Sequence, residues 1–207
     1  MSSHDKDPKK AAREEAARRK SRKKMKQVAS RVVVGLLVLG VVAFFFLPRK
    51  GSYSAGSSGA AIDGVREYQN PTGHTLSPVQ YPQTPPAGGE HHPTWLNCGI
   101  YTEPVPNVYA VHAMEHGAVW VTYDPARLSA DELATLRSYL PSTYAVLSPY
   151  VGLPSRIVLS AWNKQLVLDT PTDDRIGAFF EEYWRSQNVP EPGALCTGGI
   201  DGPGKSS

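Results

Sequence analysis

From Val32 to Leu47 the chain runs for sixteen residues, VVVGLLVLGVVAFFFL, without a charge. As a helix rising about 1.5 Å per residue, this stretch spans roughly 24 Å, somewhat less than the ~30 Å hydrocarbon core of a bilayer. Val28 and Ala29 lengthen it, and Arg31 can carry its head group to the interface on an apolar stem. Lys and Arg are dense from Arg18 to Lys26, and only Arg49 and Lys50 follow the run. That asymmetry orients a membrane span with its basic side in the cytoplasm. A cleaved signal peptide has a shorter basic region and small residues at its cleavage point. Here Phe44-Phe45-Phe46-Leu47-Pro48 closes the run. The pattern predicts a single-pass cell-membrane protein with a basic cytoplasmic tail (1–27), a transmembrane helix (28–47) and an extracytoplasmic C-terminal domain.

Charge divides at the same place. Residues 1–50 hold 14 Lys and Arg against 4 Asp and Glu, and residues 51–207 hold 8 against 15. The folded part is therefore acidic and lacks the basic face that phosphate binding requires, which argues against a nucleic-acid partner. Gly51 to Ala61, GSYSAGSSGAA, reads as part of a flexible linker (48–61). The domain proper is expected over 62–200, with a disordered tail at 201–207. Residues 70–107 are crowded with Pro and Gly and read as a long irregular arm.

Regular elements are expected after the arm. Val108 to Glu115 reads as a short helix and Ala118 to Tyr123 as a strand. Ser129-Ala130-Asp131-Glu132 is a capping box opening a helix through Leu140. Short strands are expected at 144–147, 156–161 and 165–169, the last two joined by a turn at Asn163-Lys164. Ile176, Phe179, Phe180 and Tyr183 mark a final helix. This order suggests an α+β domain with two main helices and a largely antiparallel sheet.

Two cysteines, Cys98 and Cys196, lie in irregular segments. Outside the cytoplasm they are expected to pair, and thiolate metal ligation is the alternative. Five of the six histidines fall between residues 74 and 116, with none in the following 91 residues. His112-Ala113-Met114-Glu115-His116 is the informative unit, because positions i and i+4 of a helix share a face and both imidazoles can reach one ion. Gly73-His74 and Glu90-His91-His92-Pro93 on the arm could supply further ligands. The candidate metal set is His74, His91, His112, Glu115 and His116, and imidazole donors suit copper or zinc among others. Met114 points away from both helical histidines, and His92 reads as a solvent-facing neighbour of His91. The same histidines could instead brace irregular backbone through hydrogen bonds.

Three runs carry a resemblance: PP-x-x-G-x-H-x-P, W-x-N-C-G-I-Y-x-E-P-V-P-N and V-H-x-x-E-H-G-A-V-W-V-T-Y-x-P. Over about residues 62–200 the chain resembles a bacterial, mainly actinobacterial, family of single-pass membrane proteins, domain of unknown function 3105. The matching positions are His74, Pro85, Pro86, Gly89, His91, Cys98, His112, Glu115, His116, Gly117, Ser148, Pro149, Tyr150 and Cys196. Members usually carry Ser-Gly-Pro-His where this chain has Gly88-Gly89-Glu90-His91. The resemblance favours His74, His91, His112 and His116 over His92 and implies no mechanism.

The leading expectation is a membrane-anchored extracytoplasmic protein that binds one copper or zinc ion, with no catalytic residue assigned. His112 to His116 also fits the H-x-x-E-H signature of inverted zinc peptidases, with Glu115 as base. Gly117 ends the helix at once, however, and a strand follows, which argues against that hydrolase. A cell-envelope interaction module with structural histidines is the third reading.

Overall fold

Strand propensity and the connections between strands set the centre of the domain. The computed structural model describes residues 18, 19, 22, 24–26, 28–35, 51–56 and 59–206. The chain divides into two units, Met1–Pro48 and Arg49–Ser207. In the first, residues 28–35 are helical, and Val28, Val32, Val33 and Val34 are exposed. The rest of the apolar run and most of the basic tail lie outside the described residues. Among the described residues no helix is long and apolar enough to cross a membrane.

In the second unit the order is β1 (Arg66–Glu67), β2 (Gly99–Ile100), α1 (Asn107–Glu115), β3 (Val119–Tyr123), α2 (Ala130–Arg137), β4 (Ala145–Pro149), β5 (Ile157–Ala161), β6 (Lys164–Leu168) and α3 (Arg175–Tyr183). The six strands form one sheet in the order β1-β6-β5-β3-β4-β2. It is mixed, which corrects the expectation of a largely antiparallel sheet. β3 pairs with β4 in parallel, as does β2, while β5 is antiparallel to β3 and β6, and β1 to β6. The reason is the connection: α2 carries the chain from the end of β3 back to the start of β4, and a helical crossover returns a strand parallel to its predecessor. Ser129 and Glu132 form the reciprocal capping box that starts α2. All three expected helices form, and α1, expected as a minor one, is as long as the others and buried through its second half.

Pairing registers place Val119, Val121, Leu147, Ile157, Leu159, Leu166 and Leu168 on one sheet face, and Leu136, Ile176, Phe179 and Phe180 join them in the core. The opposite face carries Trp120, Thr122, Ser148, Ser160 and Gln165, all buried. Polar groups suit that face because the irregular arm lies against it, and the arm's main chain has no ladder to bond with. Gln165 Nε2 donates to the Pro85 carbonyl at 2.9 Å and to Ser160 Oγ at 3.0 Å. Asn163 N donates to the Ala87 carbonyl at 2.6 Å.

Two segments expected to be loose are held. In the expected linker, the Tyr53 ring stacks on Phe180 at 5.1 Å and its hydroxyl donates to the Tyr139 carbonyl. Gly59 N and Ala60 N donate to the Glu182 carboxylate. The expected disordered tail pairs with the sheet's outer strand: Thr102 N donates to the Gly204 carbonyl at 2.9 Å, and Ser206 N to the Ile100 carbonyl at 2.8 Å. β2 is an edge, and the tail satisfies main-chain groups that would otherwise stand open.

Cys98 and Cys196 are disulfide-bonded across a sequence separation of 98 residues, which closes the thiolate-ligand alternative. In the chain-entropy account a loop of that length stabilises the fold by at most about 4–5 kcal/mol. Replacing both cysteines with serine should therefore lower unfolding free energy by up to about that amount in urea melts, with no change at all counting against a stabilising bridge.

Candidate metal centre

The arm and α1 converge through main-chain bonds. Thr75 N donates to the His91 carbonyl at 2.8 Å and His91 N to the Gly73 carbonyl at 3.0 Å. This short parallel bridge sets His74 beside His91, their ring centroids 4.9 Å apart. The next stretch is tied to α1, with His92 N donating to the Val108 carbonyl and Leu96 N to the Tyr109 carbonyl. His112, one turn further along α1, then stacks on His74 at 4.8 Å and meets His91 at 4.7 Å.

Helix α1 ends in a Schellman motif. Gly117 N donates to the Met114 carbonyl and Ala118 N to the Ala113 carbonyl, both at 3.0 Å, with Gly117 at φ +99°. A Cβ at Gly117 would approach Arg185 Cα within 3.2 Å, so both conformation and space ask for glycine. The motif sets His116 on the last turn and sends the chain directly into β3.

The imidazoles share one pattern. His91 Nδ1 lies 2.8 Å from the Gly89 carbonyl, His112 Nδ1 2.7 Å from the His92 carbonyl, and His116 Nδ1 2.7 Å from the Leu195 carbonyl. A carbonyl only accepts, so each Nδ1 carries the proton and each neutral ring keeps its lone pair on Nε2. Main-chain partners of this kind fix the tautomer and aim of metal-binding histidines.

The Nε2 atoms face carboxylates. His91 Nε2 is 2.9 Å from Glu115 Oε2, and His74 Nε2 is 3.5 Å from the same oxygen. His74, His91, His112 and Glu115 offer ligand atoms that all lie within 4.8 Å of one another. Tetrahedral ligands about 2.0–2.1 Å from a zinc ion are about 3.4 Å apart, so this quartet is close to closing on one ion. His116 is not in the quartet. It forms a second group with His112 and Glu191, its Nε2 3.3 Å from Glu191 Oε2.

Burial governs the electrostatics. It pushes the His112 imidazole down to about 4, the rings of His116, His91 and His74 add to the effect, and the His92 carbonyl opposes it. Burial also disfavours the Glu115 charge, but the close His91 imidazole and the nearby His112 and His74 rings outweigh it and hold the carboxyl below its usual range. His112 is therefore neutral at neutral pH while Glu115 is ionised, the forms in which both bind metals. Trp162 edges His91 at 5.8 Å, and Trp95 covers His112 and His116 at 5.7 and 5.2 Å. Met114 is fully buried in the core. His92 contributes its carbonyl, while its imidazole rests against Tyr109 and accepts from Thr94 N.

Residue type pointed to the imidazoles and to Glu115 but not to Glu191 or the carbonyls of Gly89, His92 and Leu195. Glu191 is five residues from Cys196, so an accepted Cys98–Cys196 pairing was the one signal that could have brought it to the arm.

Fold and site together define an α+β domain whose His/Glu group could hold a metal ion. The chain belongs to the family described as Protein of unknown function (DUF3105), which matches residues 74–198. The match opens on the first histidine of the quartet and ends just past the second cysteine. No curated protein and no solved structure matches the chain.

Two outcomes are expected. Gly117→Ala should cost on the order of 1–2 kcal/mol in denaturant melts. In metal-free protein, His112 takes its proton near 6.5 when unfolded and near 4 when folded. The unfolded chain then binds more protons between those values, so stability is intact above about 6.5 and falls as pH drops toward about 4. His112→Gln should flatten that slope in melts run from pH 7 to 4; an unchanged slope would remove His112 as its source.

Proposed function

We propose that this protein is a membrane-anchored, extracytoplasmic metal-binding protein that holds one zinc or copper ion through His74, His91, His112 and Glu115. The observation that carries this reading is the contact between His91 and Glu115. His91 Nδ1 already donates to the Gly89 carbonyl, so a neutral ring presents a lone pair to a carboxylate oxygen 2.9 Å away. Two acceptors at that distance repel unless a positive centre lies between or beside them, either a proton on Nε2 or a metal ion bound by both. The same oxygen is approached by His74, and His112 offers a ligand atom within the same group. Three imidazoles and a carboxylate form a borderline donor set with no thiolate or thioether, which suits zinc or divalent copper.

The anchor rests on the uncharged run from Val32 and the basic residues before it, and the disulfide accords with an oxidising compartment. A hydrolytic role for Glu115 finds less support. A general base must be free to take a proton from a bound water, whereas Glu115 is buried with Oε2 between two imidazoles.

Full-length protein purified in detergent should carry about one equivalent of zinc or copper by elemental analysis, as four protein ligands closing one tetrahedral site require. His91→Ala and Glu115→Gln should each weaken binding by at least about tenfold. Wild-type protein that takes up neither metal, or variants that bind as tightly, would defeat the assignment. Protease added to intact cells should digest the domain and spare the basic tail.

A further inference from the structure

Beside the quartet stands a second group, His112, His116 and Glu191, whose ligand atoms also lie within 4.8 Å of one another. It repeats the chemistry of the first. His116 Nδ1 donates to the Leu195 carbonyl, so its Nε2 lone pair faces Glu191 Oε2 at 3.3 Å, again a pair of acceptors that needs a cation or a proton between them. The rings of His112 and His116 are 4.6 Å apart.

His112 belongs to both groups but cannot serve both at once. Its Nδ1 is committed to the His92 carbonyl, which leaves a single lone pair on Nε2. The two groups are therefore alternative ligand sets around one shared imidazole, not two independent sites.

The sets are also arranged oppositely toward solvent. In the quartet the carboxylate of Glu115 is buried, with a side-chain exposure of 5 %, and the open ligand is the imidazole of His74 at 42 %. In the second set both imidazoles are buried and the carboxylate of Glu191 is open, at 46 %. A hydrated dication is drawn first to exposed negative charge and sheds water as protein ligands replace it. Three ligands with an open carboxylate suit first capture, and four ligands around a buried carboxylate suit retention.

The position of Glu191 is built into the fold. Glu191 N donates to the Glu115 carbonyl at 3.2 Å, Ala194 N donates to the Glu191 carbonyl, and Cys196 is bonded to Cys98. The segment that carries Glu191 is thus pinned to the last turn of α1.

We infer that His116 and Glu191, with His112, form a loading site for a divalent transition-metal cation, which then passes to the quartet by exchanging ligands around His112. The inference rests on the metal-binding reading above and adds a route to it. In the transfer His112 keeps its bond to the ion while His74, His91 and Glu115 replace His116 and Glu191. Glu191 and His116 are thus ligands of the entering ion and not of the resident one.

The test uses full-length protein in detergent and cobalt(II) alone, followed by its visible absorption in a stopped-flow instrument. Wild type should load in two phases, a fast capture and a slower change of spectrum as the ligand set changes. Glu191→Gln and His116→Gln should lose the fast phase while equilibrium affinity stays within about twofold of wild type. Glu115→Gln should keep the fast phase and lose affinity by about 10–100-fold. The loading site is overturned if Glu191→Gln loads with wild-type kinetics, or if it loses as much affinity as Glu115→Gln, which would make Glu191 a resident ligand. Wild type that binds no cobalt, zinc or copper would instead remove the quartet itself. Loading in a single phase with quartet variants impaired would leave the quartet standing and remove only the loading site.

Discussion

The donation of an imidazole Nδ1–H to a main-chain carbonyl, made three times, is the interaction on which the rest of this structure depends. It solves two problems together. An arm rich in Pro and Gly has carbonyls that no sheet or helix satisfies, and buried histidines need their tautomer and direction fixed. Joining Gly89, His92 and Leu195 to His91, His112 and His116 settles both, and leaves the remaining nitrogen of each ring aimed at the others or at a carboxylate. The expectation that the histidines either bind a metal or brace irregular backbone posed a choice between two edges of the same ring. One nitrogen does the bracing and the other remains available to an ion.

The sheet serves that arrangement. Its apolar face builds the core, and its other face carries Trp120, Ser160 and Gln165, whose polar atoms meet an irregular partner. β3 lies at the centre of the sheet, and the Schellman turn at Gly117 couples it rigidly to the helix that bears His112 and Glu115. The chemistry thus sits one turn from a fully buried strand, on a short helix tied to it by that turn.

Much of the fold could be read from side-chain pattern. The capping box at Ser129 and the stripe of Ile176, Phe179 and Phe180 each report a local preference, and each produced the element expected, while the turn expected at Asn163-Lys164 falls one residue earlier, at Trp162-Asn163, with Lys164 opening β6. Sheet direction was harder, because it belongs to the connection and not to the strands. The succession of strand, α2 and strand held the information as a crossover, and the strands by themselves did not. The segments around Tyr53 and Lys205 make contacts that their composition does not announce, for a different reason. Gly and Ser composition describes what a chain can do when nothing attracts it, and here an aromatic stack and an open sheet edge supply the attraction. At the site, residue type found the imidazoles but could not rank them. Ranking needed the carbonyls, which every residue possesses and no sequence distinguishes.

The disulfide joins the arm to the segment that carries Glu191 and Leu195, so the contour from Cys98 to Cys196 is a closed ring holding most of the sheet and all of α1. A ring can be opened once and remain one molecule. A single proteolytic nick in its outer loops, such as the turn at Val151, which is 78 % exposed, would leave both pieces covalently joined through Cys98 and Cys196. For such a protein, damage and loss of the ligand group become separate events. Only a second cut, or reduction of the one bond, would let the pieces part.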